Sequence, residues 1–282
     1  MLERSRATIR STRLVALDVD GTIALPGSSI DHEILGSISQ VAESGVVVVI
    51  ATGRGWRDMR TVARQLPGSV YLVLNNGATT RRADGRLVDA RALPFATAAA
   101  ACRVYLETNV LPIWIESASS GTRYFVVRGW MDRRPYRMYL ESKVPHVCRL
   151  YDRSLAPPAA QIFGLTDGAR ADMLETAIRS ELGDEASIVK WRSKRLDAVG
   201  VEILPSGITK GGVVAGIARE LGIEAGDAVA VGDDLNDLEM LIWAGVGLAV
   251  DGAPDALIKV ADDVIAPDRL VLNQFLLDLI QV

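Results

Sequence analysis

The sequence predicts an α/β protein, with a parallel-sheet core built from both ends of the chain and an inserted α+β domain between them. Three observations predict this. Short apolar runs alternate with amphipathic helical stretches near the amino terminus, and again after Lys210. Between these regions the rhythm changes to short β-rich pieces around two helices. The chemically loaded residues stand where the apolar runs end, and in open parallel sheets ligands bind beyond the carboxyl ends of strands.

The elements follow in order. Leu14 to Leu17 is a short apolar run of the kind that a parallel strand covered on both faces requires. From Asp31, a helix N-cap, Ile34, Leu35, Ile38, Val41 and Ala42 recur at three- and four-residue spacing, and Gly45 stops the helix. Val46 to Ile50 reads as a second buried strand. Trp56 to Leu66 reads as a helix stopped by Pro67-Gly68, and Val70 to Leu74 as a third strand. A strand–helix–strand–helix–strand order predicts a parallel sheet with right-handed crossovers.

In the middle, Ala83-Asp84-Gly85 is a hairpin-like turn, and Ala96 to Glu107 is an alanine-rich helix. Strand-like pieces follow at Leu111 to Ile115, Arg123 to Val127, Gln161 to Leu165 and Ser187 to Arg192, with a helix over Ala169 to Leu182. The α/β rhythm then returns. Lys210 to Leu221 is helical, Ala228 to Val231 a strand, Asn236 to Ala244 a helix and Val246 to Val250 a strand. Pro254 to Ala261 (helix), Val264-Ile265 (strand) and Asp268 to Ile280 (helix) complete the pattern.

Composition excludes several classes. Hydrophobic residues make up 49% and charged residues 23%, a globular rather than a disordered balance. No apolar run approaches the ~18 residues of a membrane span. The net charge of -4 gives no global nucleic-acid footprint. Two cysteines, Cys102 and Cys148, make neither a disulfide framework nor a CxxC site, and two histidines make no zinc site. A reducing, cytoplasmic location is expected. Arg4, Arg6, Arg10 and Arg13 precede the first strand without the apolar core of a secretory signal and read as a solvated tail.

Asp18-Val19-Asp20-Gly21-Thr22 follows the first strand directly. Two carboxylates two residues apart can share a metal and still play different roles, and Gly21 lets the backbone approach a ligand closely. An EF-hand is excluded, because its sixth position would be Ile23 and its twelfth Ser29. A P-loop is excluded because the chain has no GKS or GKT. An ordinary strand-ending turn remains open for this motif alone. Ala51-Thr52-Gly53-Arg54 ends the second strand, where a hydroxyl and a free N–H suit a phosphoryl oxygen. Gly232-Asp233-Asp234-Leu235-Asn236-Asp237 puts Asp233 and Asp237 one helical turn apart, and hard cations take such oxygen ligands. Lys210 stands at a helix start, where a cation is unfavourable for the helix and sensible for holding phosphate.

The order DxDGT, TGR, K and GDDxND resembles the haloacid dehalogenase-like hydrolase superfamily of phosphatases, and within it the Cof-like branch. Asn75-Asn76-Gly77-Ala78 and Glu202-Ile203-Leu204-Pro205 also match that branch. The resemblance implies a Rossmann-like core over residues 1–92 and 197–282 with a cap domain over 93–196, hinged near Arg91 to Pro94 and Arg195 to Val199. It implies an aspartyl-phosphate mechanism, with Asp18 as nucleophile and Asp20 as general acid and base. It implies Mg²⁺ held by the Asp18 carboxylate, the Asp20 carbonyl, Asp233 and, directly or through water, Asp237. Thr52, the Gly53 N–H and Lys210 would hold phosphoryl oxygens, with Asn236 orienting the set.

Such caps close over substrate and govern its choice. Between Gly121 and Arg153, eight basic residues stand against three acidic ones, and Lys190, Arg192, Lys194 and Arg195 follow. These read either as solvated faces or as readers of an anionic or polyhydroxylated leaving group. Tyr124, Trp130, Tyr136, Tyr139 and Trp191 read either as cap core or as sugar-stacking surfaces. The expected partner is a small phosphorylated metabolite of sugar phosphate or phosphoglycolate type, taken by a monomer or small homo-oligomer, with no nucleic acid and no membrane. A phosphosugar mutase shares the aspartyl-phosphate step, and a non-catalytic regulatory protein would have lost the four motifs that are present here.

Overall fold

The computed structural model describes residues 11–117, 123–150, 156–193 and 195–280. Arg4, Arg6 and Arg10, and Asp152, Arg153 and Lys194 of the basic stretches, lie outside the described residues. The fold is α/β, and its contacts divide the chain into two compact units, Met1–Asp89 with Thr209–Val282, and Ala90–Ile208.

The first unit begins with β1 (Leu14–Leu17), α1 (His32–Glu43), β2 (Val47–Ala51), α2 (Trp56–Ala63), β3 (Tyr71–Leu74), β4 (Thr79–Arg82) and β5 (Leu87–Ala90). Asp31 caps α1 by accepting a hydrogen bond from the Glu33 N–H. The second unit carries α3 (Phe95–Glu107), β6 (Ile113–Glu116), β7 (Tyr124–Val126), α4 (Arg134–Leu140), β8 (Val147–Arg149), β9 (Ala159–Thr166), α5 (Gly168–Leu182), β10 (Ala186–Ser193) and β11 (Ala198–Pro205). The chain then returns to the first unit with α6 (Lys210–Glu220), β12 (Ala228–Gly232), α7 (Leu238–Trp243), β13 (Val246–Val250), α8 (Asp255–Ile258), β14 (Asp263–Ile265) and α9 (Arg269–Asp278).

The first unit's sheet has the order β14-β13-β12-β1-β2-β3-β4-β5. It is parallel from β14 to β3 and turns antiparallel at β4. Leu17 sits in register with both Val231 and Ile50. The residues just past β1 therefore lie between those past β12 and those past β2, at the point where the strand order reverses. Burial on both faces explains why these strands are continuous apolar runs. Val15, Leu17 and Val231 pack on one side with α1, α2 and α9, while Leu14, Ala16 and Ala230 pack on the other with α6 and α7. Each such fully buried leucine or valine contributes about 1.5–3 kcal/mol, so the strand that leads into Asp18 is firmly held.

The second unit's sheet has the order β10-β11-β9-β6-β7-β8, antiparallel except for the parallel β7–β8 pair. Helices α3 and α5 cover one face through Ala98, Cys102, Tyr105, Leu174 and Ile178. Helix α4 covers the other, where Tyr136 and Leu140 pack on Ile113, Tyr124 and Phe163. Tyr124 and Tyr136 are thus core residues, and Trp130, Tyr139 and Trp191 are partly buried against the same cluster. Several basic side chains have protein partners: Arg123 pairs with Glu116, Arg133 bonds to Asn109, and Lys190 pairs with Asp172 and Glu175. Among the described residues no helix is long and apolar enough to cross a membrane.

Candidate functional site

The site is built where β1, β2 and β12 end side by side. Asp18 is the first residue past β1, and its N–H still donates to the Val231 carbonyl at 3.0 Å. The chain then turns sharply. Gly21 has φ +101°, and its N–H donates to the Ala24 carbonyl at 2.7 Å. A Cβ at residue 21 would lie 2.0 Å from Asp233 Oδ2, so the turn needs glycine for space as well as for conformation. Thr22 Oγ1 donates to Asp233 Oδ1 at 3.2 Å, tying the first motif to the last.

Lys210 is the first residue of α6, whose N-cap Thr209 accepts from the Gly212 N–H at 3.1 Å. Gly211 lets α6 press against the start of α7, since a Cβ there would be 2.5 Å from the Met240 nitrogen. The Lys210 ammonium reaches Asp18 Oδ1 at 2.5 Å and Asp237 Oδ1 at 2.9 Å. Burial would lower the lysine pKa, but the carboxylates of Asp18 and Asp237 outweigh it and hold the value above the ordinary one. The lysine is a fixed cation.

Asp237 is wholly buried. Its Oδ1 accepts from Lys210, and its Oδ2 accepts from the N–H groups of Asp233 and Asp234 at 3.1 and 3.2 Å. It organises the 232–237 loop from inside. Gly232 makes room for it, because a Cβ at that residue would be 2.5 Å from the Asp237 Cβ. Asp234 caps the short turn by accepting from the Leu235 N–H at 2.7 Å.

Asp18, Asp233 and Asp237 each offer a carboxylate oxygen within 4.8 Å of one another. Burial first, then the neighbouring Asp237 and Asp234, pushes the Asp233 pKa up to about 7. Burial, reinforced by Asp237 and Asp233 and opposed by Lys210, raises Asp18 well above the carboxylate range. One lysine does not neutralise this cluster. An all-oxygen set with excess negative charge fits a hard divalent cation. Because both Asp237 oxygens already have protein partners, Asp18 and Asp233 are the better disposed of the three to meet it.

Asp18, Lys210, Asp233 and Asp237 come together here, Asn236 meets the loop after β2 through Asn76, and the Asp20 side chain is held by Arg54. Arg54 Nε and Nη2 each donate to it at 2.7 Å, the Gly27 N–H donates at 2.7 Å, and Arg54 Nη2 also reaches the Ser28 carbonyl at 2.8 Å. Burial acts to raise the Asp20 pKa, but the Arg54 fork outweighs it and the net shift is downward. Sequence reading gave Arg54 no role, although the TGR motif contains it.

Thr52 is buried at the end of β2, its N–H donating to the Val73 carbonyl at 2.8 Å and its Oγ1 accepting from the Arg54 N–H at 3.1 Å. Gly53 faces the Asn76 side chain, and a Cβ at residue 53 would lie 3.4 Å from both amide heavy atoms. Asn236 Nδ2 donates to Asn76 Oδ1 at 3.1 Å. Asn76 was noted in the sequence only as part of a matching tetrapeptide. Its positive φ is the local reason for an asparagine there.

The model of a haloacid dehalogenase-like hydrolase family matches residues 15–269. An HMP-PP phosphatase of Cronobacter sakazakii is 30% identical over 255 residues, covering 87% of this chain and 86% of its own. An HMP-PP phosphatase of Escherichia coli is 26% identical, covering 86% and 85%. Among solved structures, a haloacid dehalogenase-like hydrolase from Bacteroides thetaiotaomicron superposes with a TM-score of 0.77 at 19% identity, covering 94% and 98%. A sugar phosphatase of HAD subclass IIB gives 0.71 at 19% identity, covering 93% and 97%.

Proposed function

The chain belongs to the haloacid dehalogenase-like hydrolase family, and on that premise we propose that it is a Mg²⁺-dependent phosphatase of a small phosphorylated metabolite, working through an aspartyl-phosphate. The observation that carries this reading is the meeting of buried Asp18 and Lys210 with half-buried Asp233 at the end of β1. A carboxylate beside a fixed cation and a second acidic group has little structural use and direct chemical use.

In this reading the Asp18 carboxylate attacks phosphorus in line. The bond from phosphorus to the leaving oxygen breaks, and Asp20 gives that oxygen a proton from its protonated form, which the pairing with Arg54 makes the minor form before substrate binds. Asp20 then takes a proton from the water that attacks the aspartyl-phosphate, which restores Asp18 and releases phosphate. Arg54 aims Asp20, and that pairing would keep its side chain free of a bound cation. Thr52, the Gly53 N–H, Lys210 and Asn236 carry the phosphoryl oxygens. Asp18, the Asp20 carbonyl and Asp233 would hold Mg²⁺, with Asp237 anchoring Lys210 and the loop behind them. When bound, the ion supplies positive charge that offsets repulsion between two carboxylates and a dianionic phosphate.

The relatives named HMP-PP phosphatase support a phosphorylated small molecule as substrate, with sugar phosphates next in line from the subclass IIB neighbour. The test is phosphate release from HMP-PP, sugar phosphates, phosphoglycolate and an aryl phosphate, with Mg²⁺ and with chelator. Release that needs Mg²⁺ and vanishes in Asp18→Asn is expected. Release that persists in Asp18→Asn would sink the covalent step, and release that survives chelation would sink the metal.

A further inference from the structure

We infer that Asn76 is a positioning residue of the phosphate cradle, acting through Asn236; this rests on the phosphatase reading above. Asn75 and Asn76 follow β3 in the left-handed region, with φ of +50° and +51°. Such a pair is costly for most residues and least so for asparagine and glycine. Their backbone N–H groups donate to the carbonyls of Arg54 and Thr52, both at 3.1 Å. The turn thereby braces the 52–54 loop on both sides of Gly53.

The side chain of Asn76 does something the backbone does not. Its amide lies against the Cα of Gly53, and its Oδ1 accepts from Asn236 Nδ2 at 3.1 Å. An amide has a donor end and an acceptor end of nearly equal shape, and which end faces an anion decides attraction or repulsion. The bond to Asn76 fixes the Nδ2 end of Asn236 on the side of the Thr52–Gly53 loop. One Nδ2 hydrogen is used on Asn76 and the second remains for a phosphoryl oxygen. The other end, Asn236 Oδ1, is buried without a hydrogen-bond partner. An unpaired buried acceptor is costly, and that cost is expected where the donor end is held for a ligand. Asn76 thus joins two loops far apart in sequence, the one after β2 and the one after β12, through a single amide.

Asn76→Gly removes the amide and keeps the left-handed backbone, which glycine adopts more readily still, so the turn and its two backbone bonds stay. The probe is inorganic phosphate, titrated calorimetrically in Mg²⁺ buffer against the full chain, beside kcat and KM. Asn76→Gly is expected to weaken phosphate binding roughly tenfold, the scale of one hydrogen bond to a charged group, while unfolding stays cooperative. Asn236→Ala is expected to do the same, and the double variant no worse than Asn236→Ala alone. Phosphate bound as tightly by Asn76→Gly as by the parent would overturn the proposal. So would losses that add in the double variant, since they would mean that Asn76 acts on the loop independently of Asn236. A parent protein that binds phosphate in this pattern but hydrolyses no phosphoester would refute the phosphatase reading and leave this one standing.

Discussion

Lys210 and Asp237 meet at 2.9 Å with 2% and 0% of their surfaces exposed. A cation at a helix start opposes the helix dipole, and the ammonium is held there by the carboxylates of Asp18 and Asp237. The remaining Asp237 oxygen takes two backbone N–H groups of the loop after β12. One side chain therefore sets the position of α6's first residue and of the loop that carries Asp233. Asp237→Asn keeps the volume but leaves the ammonium without one of its two counter-charges. Breaking a buried pair in this way costs about 3–5 kcal/mol. Urea unfolding is expected to show a loss on that scale, with turnover falling alongside it. An unchanged midpoint would mean that the pair does not hold the site together.

The metal-free protein is expected to lose stability as pH rises from about 4 towards 7. The sign follows from Asp233, whose folded pKa is about 7, above its unfolded value of 3.8. Between those values the folded state binds more protons than the unfolded state, so unfolding gains as pH rises. The contribution is complete below the unfolded pKa and lost as pH passes the folded one. Asp18 shifts in the same direction. Thermal melts in chelator across this range should therefore slope downward, and Asp233→Asn should flatten the slope. Added Mg²⁺ should raise the melting temperature at pH 7 with a concentration dependence, and Asp233→Asn should abolish that rise. A parent protein indifferent to Mg²⁺ would refute the assigned site.

Gly21→Ala tests the junction between the first and last motifs. The glycine's φ of +101° is forbidding for alanine, and the new methyl would meet Asp233 Oδ2 at 2.0 Å. The carboxylate belongs to a braced loop and cannot simply swing aside. Activity is expected to fall by at least about a hundredfold, the scale on which small displacements of positioned groups act, while far-ultraviolet circular dichroism stays native. Near-parental turnover would show that the turn relaxes more easily than its packing implies.

Three of the strand-end residues, Asp18, Thr52 and Asp233, were legible because each follows a continuous apolar run, and such runs are what a doubly covered parallel strand requires. Asp18, Thr52 and Asp233 could be aligned from that alone. The fork from Arg54 to Asp20 and the bond from Asn236 to Asn76 could not. Both depend on how loops after different strands lean, which no local period encodes. Strand β11 was missed for a different reason. Gly200 and Glu202 interrupt its apolar pattern, and only the fold explains them: the Trp191 ring lies where a Cβ of residue 200 would be, and its Nε1 donates to Glu202 at 3.2 Å. Helix α4 was also unread, since Arg134-Pro135 opens it and its apolar face is only two residues deep, Tyr136 and Leu140.

Tyr136 gives the second unit a test of its own. It is 1% exposed, and its hydroxyl donates to the Leu111 carbonyl at 2.7 Å. The same oxygen accepts from the N–H groups of Leu111 and Leu165 at 3.1 and 2.9 Å. One phenol thus joins the approach to β6 and the end of β9 to α4. Tyr136→Phe keeps the ring and strands those backbone groups, at a cost of about 1–3 kcal/mol for each that stays dry. A loss of about 2 kcal/mol in urea unfolding is expected. Burial also pushes the Tyr136 pKa up to about 12, against the two backbone donors that act to lower it. A raised folded pKa means that the stabilisation is whole below the unfolded value of about 10 and is lost as pH rises through the folded one. Burial raises the Tyr105 pKa in the same direction, so tyrosinate absorbance should show at least two groups fewer titrating near pH 10 in the folded parent than in the unfolded chain, and those groups should ionise only as alkaline unfolding sets in. Tyr136→Phe should unfold at lower urea and show one late-titrating group fewer than the parent. If it unfolds like the parent, the three hydrogen bonds of that phenol are not what joins α4 to the sheet.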